Sequence, residues 1–189
     1  MVFLQGGTFT LGEEPPQFSW QLMGRPFEVS SFCMDRYEFP NRVGEYPRSG
    51  VTFNEAKALC TQLGKRLCTE PEWEFACQGS MERLYSYGHD RVERNCHTKS
   101  TTGEKPFAKS GDYPNCQSPE GVFDLNGNLS EWVDATWPQT GTSAGNWKTL
   151  RGGTIEKKTH YGQDCTSRHG HDANNWRNSD DGFRCCAEP

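Results

Sequence analysis

Gly64-Lys65-Arg66-Leu67-Cys68-Thr69-Glu70-Pro71-Glu72-Trp73-Glu74 closes one helix and opens the next. Thr69 to Glu72 forms a capping box, in which the threonine oxygen accepts the amide three residues on and the glutamate returns to the cap amide. Proline is tolerated in that first turn; Trp73, Ala76 and Cys77 then share one face, and Gly79 is the stop. Gly64 is the stop of an earlier helix. Upstream, Thr52-Phe53-Asn54-Glu55 repeats the box, and Phe53, Ala56, Leu59, Cys60 and Leu63 recur at helical spacing.

Outside this helical pair the periodicity changes. Gly6–Gly12 alternates Phe9 and Leu11 with small polar residues, the period of a short strand, and Phe27 to Phe39 is dense in the rings and branched residues of sheet core. After Gln78 no helical period returns: turn residues surround short aromatic segments such as Gly121–Leu125 and Trp132–Val133. Two early helices beside small antiparallel sheets, with a long irregular second half, make a single loop-rich α+β domain over residues 1–189.

Composition agrees. Hydrophobic residues are 33% of the 189, while Gly reaches 20, Pro 11 and Trp 6, so the core is built from rings more than from aliphatic helices, and a disordered chain is excluded. The net charge is −5 with both signs interspersed, which argues against a nucleic-acid partner. No apolar run reaches membrane-spanning length, and Met1–Leu4 is too short for the core of a signal peptide. Nine cysteines, scattered singly, read as disulfides in an oxidising compartment: extracellular, cell-surface or periplasmic. The odd count leaves at least one thiol free, paired to another chain or committed to other chemistry.

Seven ordered segments carry a resemblance: Gly6-Gly7-Thr8-Phe9, Asp35-Arg36-Tyr37-Glu38, Gly64 to Glu70, Glu72-Trp73-Glu74, Gly127 to Val133, Arg151-Gly152-Gly153 and Gly182-Phe183-Arg184. In that order they resemble the formylglycine-generating enzyme (sulfatase-modifying factor) family. The resemblance implies a variant of the C-type lectin fold with the chain ends brought together. It also implies two disulfides, Cys60 with Cys185 and Cys77 with Cys165. Each would close a loop of about 90 to 125 residues, for which loop entropy predicts roughly 4 to 5 kcal/mol. Cys33, Cys68, Cys96, Cys116 and Cys186 have no such guide, with Cys96 to Cys116 the preferred extra bridge.

Catalytic members of that family hold copper with two cysteines, five residues apart, shortly after the Arg-Gly-Gly turn. Here the segment reads Thr154-Ile155-Glu156-Lys157-Lys158-Thr159-His160-Tyr161-Gly162-Gln163-Asp164, and the positions fall near Lys157 and Gly162. No cysteine lies between Gly153 and Cys165, so no thiolate is offered to Cu(I), no copper is expected and no catalytic residue is assigned. The remaining route to a redox site is through Cys165 or the Cys185-Cys186 pair.

Asn128 and Glu131 occupy a Gly-Asn-Leu-Ser-Glu-Trp turn that resembles one where family members hold structural calcium, a cation that takes oxygen ligands. His160, His169 and His171 with Asp172 offer a zinc or iron arrangement, against the plainer reading of solvated loop histidines. Between Arg-Gly-Gly and Gly-Phe-Arg the chain is rich in hydrogen-bonding side chains and amphipathic rings, the types that make adaptable contacts. Lys157, Thr159, His160, Tyr161, Gln163, Asp164, His169, His171, Asn174, Asn175 and Trp176 are its expected ligand-binding residues.

Three functions compete. The first is a non-catalytic recognition module for a protein or carbohydrate ligand, similar to the retroelement-diversified variable proteins of the same fold, whose adenine-rich codons Asn174, Asn175 and Asn178 fit better than Glu156, Lys157 and Lys158 do. The second is a metal-dependent oxidoreductase related to formylglycine-generating or sulfoxide-synthase enzymes. The third is an accessory domain of a larger protein.

Overall fold

The computed structural model describes residues 1–10, 26–98, 107–137, 146–153 and 164–189. Elements follow in the order β1 (Val2–Leu4), β2 (Gly7–Thr10), β3 (Pro26–Val29), β4 (Phe32–Met34), α1 (Phe53–Gln62), β5 (Arg66–Leu67) and α2 (Glu70–Gln78). They continue with β6 (Gly127–Thr136), β7 (Trp147–Gly153), β8 (Arg168–Asp172), β9 (Asp181–Phe183) and β10 (Cys185–Ala187). Both capping boxes are formed: Thr52 and Thr69 accept from Glu55 and Glu72, whose carboxylates return to the cap amides. Leu63 and Gly79 are the C-caps. Leu11 and Gly12 lie outside the described residues.

One four-stranded antiparallel sheet runs β1-β4-β10-β5, with Val2 and Cys186 both opposite Met34. The first and last strands thus flank one central strand, which brings the chain ends together. A second four-stranded sheet runs β8-β7-β6-β9, and β2 pairs with β3 apart from both. The sheets are not purely antiparallel, because β9 lies parallel to β6 with Ser130 opposite Asp181. One apolar cluster joins Trp73, Phe9, Phe32 and Leu125; the other joins Phe53, Trp132, Leu150 and Phe183.

The Gly-Asn-Leu-Ser-Glu-Trp segment, read from sequence as a turn, is the start of the ten-residue strand β6. Its first seven residues are all buried, so the alternation that marks a half-exposed strand is absent. A bulge between Gly127 and Ser130, with Asn128 at φ 51°, supplies the turn-like residues. Arg151-Gly152-Gly153 likewise ends β7. Gly152 has φ +67°, and a Cβ there would stand 2.9 Å from the Leu125 carbonyl and 3.1 Å from the Trp73 ring.

Eight cysteines pair as Cys60–Cys185, Cys68–Cys186, Cys77–Cys165 and Cys96–Cys116. Two are the pairings that the resemblance implies. Cys68–Cys186, which sequence left open, ties β10 to the end of β5, and Cys33 on β4 is the free thiol. Four such bonds belong to an oxidising environment. Among the described residues no helix is long and apolar enough to cross a membrane.

Candidate ligand-binding face

Among the described residues strand β8 is an edge of its sheet, bonded to β7 alone. Its entry is pinned by the Cys77–Cys165 disulfide and by buried Arg151, which donates to the Cys165 carbonyl and to Glu74 at 2.6 Å each. Arg151 also lies 5.2 Å from the centre of the Trp73 ring. A second guanidinium, Arg168, bonds Glu70 at 3.2 Å from β8 itself. Expected binding residue Asp164 accepts from the Thr166 amide, the Thr166 hydroxyl and the Ser167 hydroxyl, which makes it the keystone of the turn into β8.

From that edge three rings stack in a row. His171 lies against Trp176 with centroids 3.5 Å apart and planes 4° apart, and against Trp147 at 5.8 Å and 30°. His169 meets His171 edge-on at 5.3 Å. These two histidines are therefore half-buried members of a strand and not the solvated loop residues of the plain sequence reading. The cause is the pairing of β7 with β8, which sets Trp147 opposite Asp172 and Lys148 opposite His171.

The turn beyond β8 is built on Asp172, whose Oδ1 accepts the amides of Asn174 and Asn175 at 2.9 Å each while Oδ2 accepts Asn146 at 3.0 Å. The exposed Asn174 and Asn175 sit at its tip, Asn174 also accepting from Asn54 on α1. Arg177 clamps the turn to α1 through two bonds to Glu55, 2.6 and 2.7 Å long. Beneath the row, the Trp176 indole donates to Asp181 at 2.6 Å. Burial pushes the Asp181 carboxyl up to about 7, the indole bond draws it back and Asp180 adds to the rise.

The structure thus gathers His169, His171, Asn174, Asn175 and Trp176 on one face and gives Asp164 a scaffold role. Lys157, Thr159, His160, Tyr161 and Gln163 lie outside the described residues, as do the positions near Lys157 and Gly162. Sequence reasoning missed Trp147, Asn146 and Asp181. Trp147 opens β7 and was legible as an amphipathic ring, but its neighbours on β8 are a product of strand pairing. Among the described residues no three His, Cys, Asp or Glu side chains are grouped to hold a metal.

Asn128 and Glu131 belong to the buried seam under the sheet. Asn128 donates to Glu38 at 2.6 Å and accepts the Ala108 amide at 2.8 Å. Glu131 receives Arg184 through Nε at 2.7 Å and Nη2 at 2.6 Å, and the Trp73 indole at 2.9 Å. Burial, then Asp124 and Glu131, raise the Glu38 carboxyl well above the usual range, and burial lifts Asp124 to about 7. A calcium ion at this pair would meet the Arg184 guanidinium already on the same carboxylate.

Two helices flanked by small sheets, joined ends and a disulfide-braced second half define an α+β domain of the C-type-lectin-like class. Residues 40–189 match the family described as Sulfatase-modifying factor enzyme 1-like domain. The chain belongs to that family. It is 30% identical over 168 residues to the formylglycine-generating enzyme of Mus musculus, covering 76% of this chain and 44% of the relative. It is 29% identical over 165 residues to the inactive C-alpha-formylglycine-generating enzyme 2 of Bos taurus, covering 76% of this chain and 50% of the relative. The chain therefore spans about half the length of these relatives. Among solved structures, Treponema denticola variable protein 1 superposes with a TM-score of 0.75 at 18% identity, covering 100% of this chain and 95% of that one.

Proposed function

We propose that this domain is a non-catalytic recognition module that binds a protein or carbohydrate ligand through the β8 edge and the turn after it. The observation that carries the reading is the Trp147–His171–Trp176 row beside the Asn174–Asn175 tip, held on an edge strand that disulfide and guanidinium clamps fix to the core. Rigid rings with polar neighbours on a braced scaffold make contacts with little ordering loss. Lys157, Thr159, His160, Tyr161 and Gln163, the other expected ligand-binding residues, precede this strand in sequence and lie outside the described residues. Likeness in fold to a variable protein and in sequence to an inactive family member supports this reading.

The oxidoreductase reading draws on relatives named as enzymes. It loses support from the cysteines: Cys165, Cys185 and Cys186, the remaining route to a thiolate site, are each tied in a disulfide. Cell-surface, extracellular or periplasmic placement is the finer form of the oxidising environment and belongs to the same proposal. Calcium at Asn128 and Glu131 is a separate one; a chelator would lower the melting temperature if the ion braces the seam, and an unchanged value would retire it.

The test is a glycan array and an extracellular-protein array probed with the wild type and with His171→Ala/Trp176→Ala. Signals lost in the variant, with disulfides intact and the melting temperature within a few degrees, support the face. Signals that persist in the variant, or oxygen uptake on a cysteine-containing peptide with added copper, contradict it.

A further inference from the structure

The β6–β7 ladder has two ends. The ring row stands at the Trp147 end; at the other, Gly153 lies opposite Gly127, about 20 Å away at roughly 3.3 Å per residue. Just past Gly127, the Asn128 amide bonds the His97 carbonyl at 2.8 Å and the Asn128 side chain accepts the Ala108 amide at 2.8 Å. The loops that carry His97 and Ala108 are thereby fixed to the sheet. The Ser110 amide bonds the Glu45 carbonyl at 3.0 Å and the Gly44 amide bonds the Ser110 carbonyl at 2.8 Å, so a third loop is tied to them.

Between these loops lies an open cavity of about 420 Å³, within the span of roughly 300–1,000 Å³ that holds small-molecule ligands. Its walls are two edge-to-face ring pairs: Tyr46 with Phe107 at 6.0 Å, and His97 with Tyr113 at 5.4 Å. Lys109 sits 5.4 Å from the centre of the Tyr46 ring, and the Asp112 carboxylate accepts the Lys109 amide at 3.2 Å. His97 is 5% exposed, and among the described residues its Nδ1 has no hydrogen-bond partner. Burial holds that imidazole below its ordinary value, Asp112 pulling the other way.

The chemistry of these walls selects an occupant. Of the six side chains named, only Phe107 is wholly apolar; the others bring two hydroxyls, an imidazole, an ammonium and a carboxylate. An apolar ring seated here would strip water from those groups without replacing its bonds. Lys109 and Asp112 cancel, which favours a neutral ligand over an ionised one. A ligand with a flat C–H face for the rings and hydroxyls around its rim satisfies both requirements. We infer that the cleft between the Tyr46, His97 and Phe107–Tyr113 segments is a binding site for a neutral pyranose sugar, separate from the β8 face.

The experiment is a titration of the full chain with methyl β-D-glucopyranoside, methyl β-D-galactopyranoside and N-acetylglucosamine, read by NMR on the His97 and Tyr113 ring resonances. Phenol and N-acetylphenylalaninamide are the aromatic comparators. At least one sugar is expected to give saturable shifts at both rings, and Tyr46→Ala to weaken it about tenfold, the equivalent of about 1.4 kcal/mol. Lys109→Ala, at an exposed position, gives a second weakened variant if Tyr46→Ala folds poorly. The inference is overturned if no sugar shifts those resonances, if the shifts survive both substitutions, or if the aromatic comparators saturate the site and the sugars do not.

Discussion

Replacing Asp181 by Asn should stabilise this domain above neutral pH and leave it unchanged in acid. Asp181 is 1% exposed, Oδ2 takes the Trp176 indole, and Oδ1 has no partner among the described residues. Its carboxyl is raised from 3.8 to about 7, chiefly by burial. Below about pH 3 both folded and unfolded chains hold the proton, and the group contributes nothing. Between about 4 and 7 the unfolded chain releases the proton and the folded chain keeps it, so stability falls as pH rises; above the folded value the loss is complete. A rise of about three units at 1.36 kcal/mol each is about 4 kcal/mol. Asparagine retains an acceptor for the indole, and its amide can donate toward Ser130, the strand partner whose hydroxyl also has no bond among the described residues. Urea unfolding followed by tryptophan fluorescence at about pH 4, 5, 6, 7 and 8 measures the difference between the two proteins. The expected difference is smallest at pH 4 and grows by about 1.4 kcal/mol per unit to a plateau near 7. A difference independent of pH would refute the reasoning.

Arg184→Met should destabilise by roughly 3 to 5 kcal/mol in thermal or urea unfolding, because Glu131 would be left buried without its cation beside Glu38 and Asp124. The double change Cys60→Ser/Cys185→Ser opens a loop of 125 residues and should cost about 4 to 5 kcal/mol, against about 3 for Cys96→Ser/Cys116→Ser with its separation of 20; equal losses would contradict loop entropy as the cause. Thr69→Ala removes the α2 cap and should cost about 1 kcal/mol by the same assay.

What the sequence made legible is local. The two helices rest on capping boxes whose donor and acceptor are three residues apart, so Thr52 with Glu55 and Thr69 with Glu72 can be read without the fold. Strand β6 cannot: its first seven residues are buried, it pairs antiparallel with β7 and parallel with β9, and a bulge places turn-like residues at its start. The candidate face divides the same way. Its polar and aromatic character is visible from Asp164 to Trp176, but the ring row needs the β7–β8 register to set Trp147 beside His171 and the following turn to lay Trp176 on the same ring. The cleft at His97 is further from reach, being assembled from three loops that share no sequence pattern.

The central claim is a disulfide-braced scaffold with no thiolate pair for redox chemistry. Elemental analysis with thiol titration before and after denaturation, on protein purified without chelators, tests it most directly. The account predicts one titratable thiol, Cys33, appearing fully on denaturation, and no stoichiometric copper or iron. Three or more thiols together with one equivalent of either metal would contradict it.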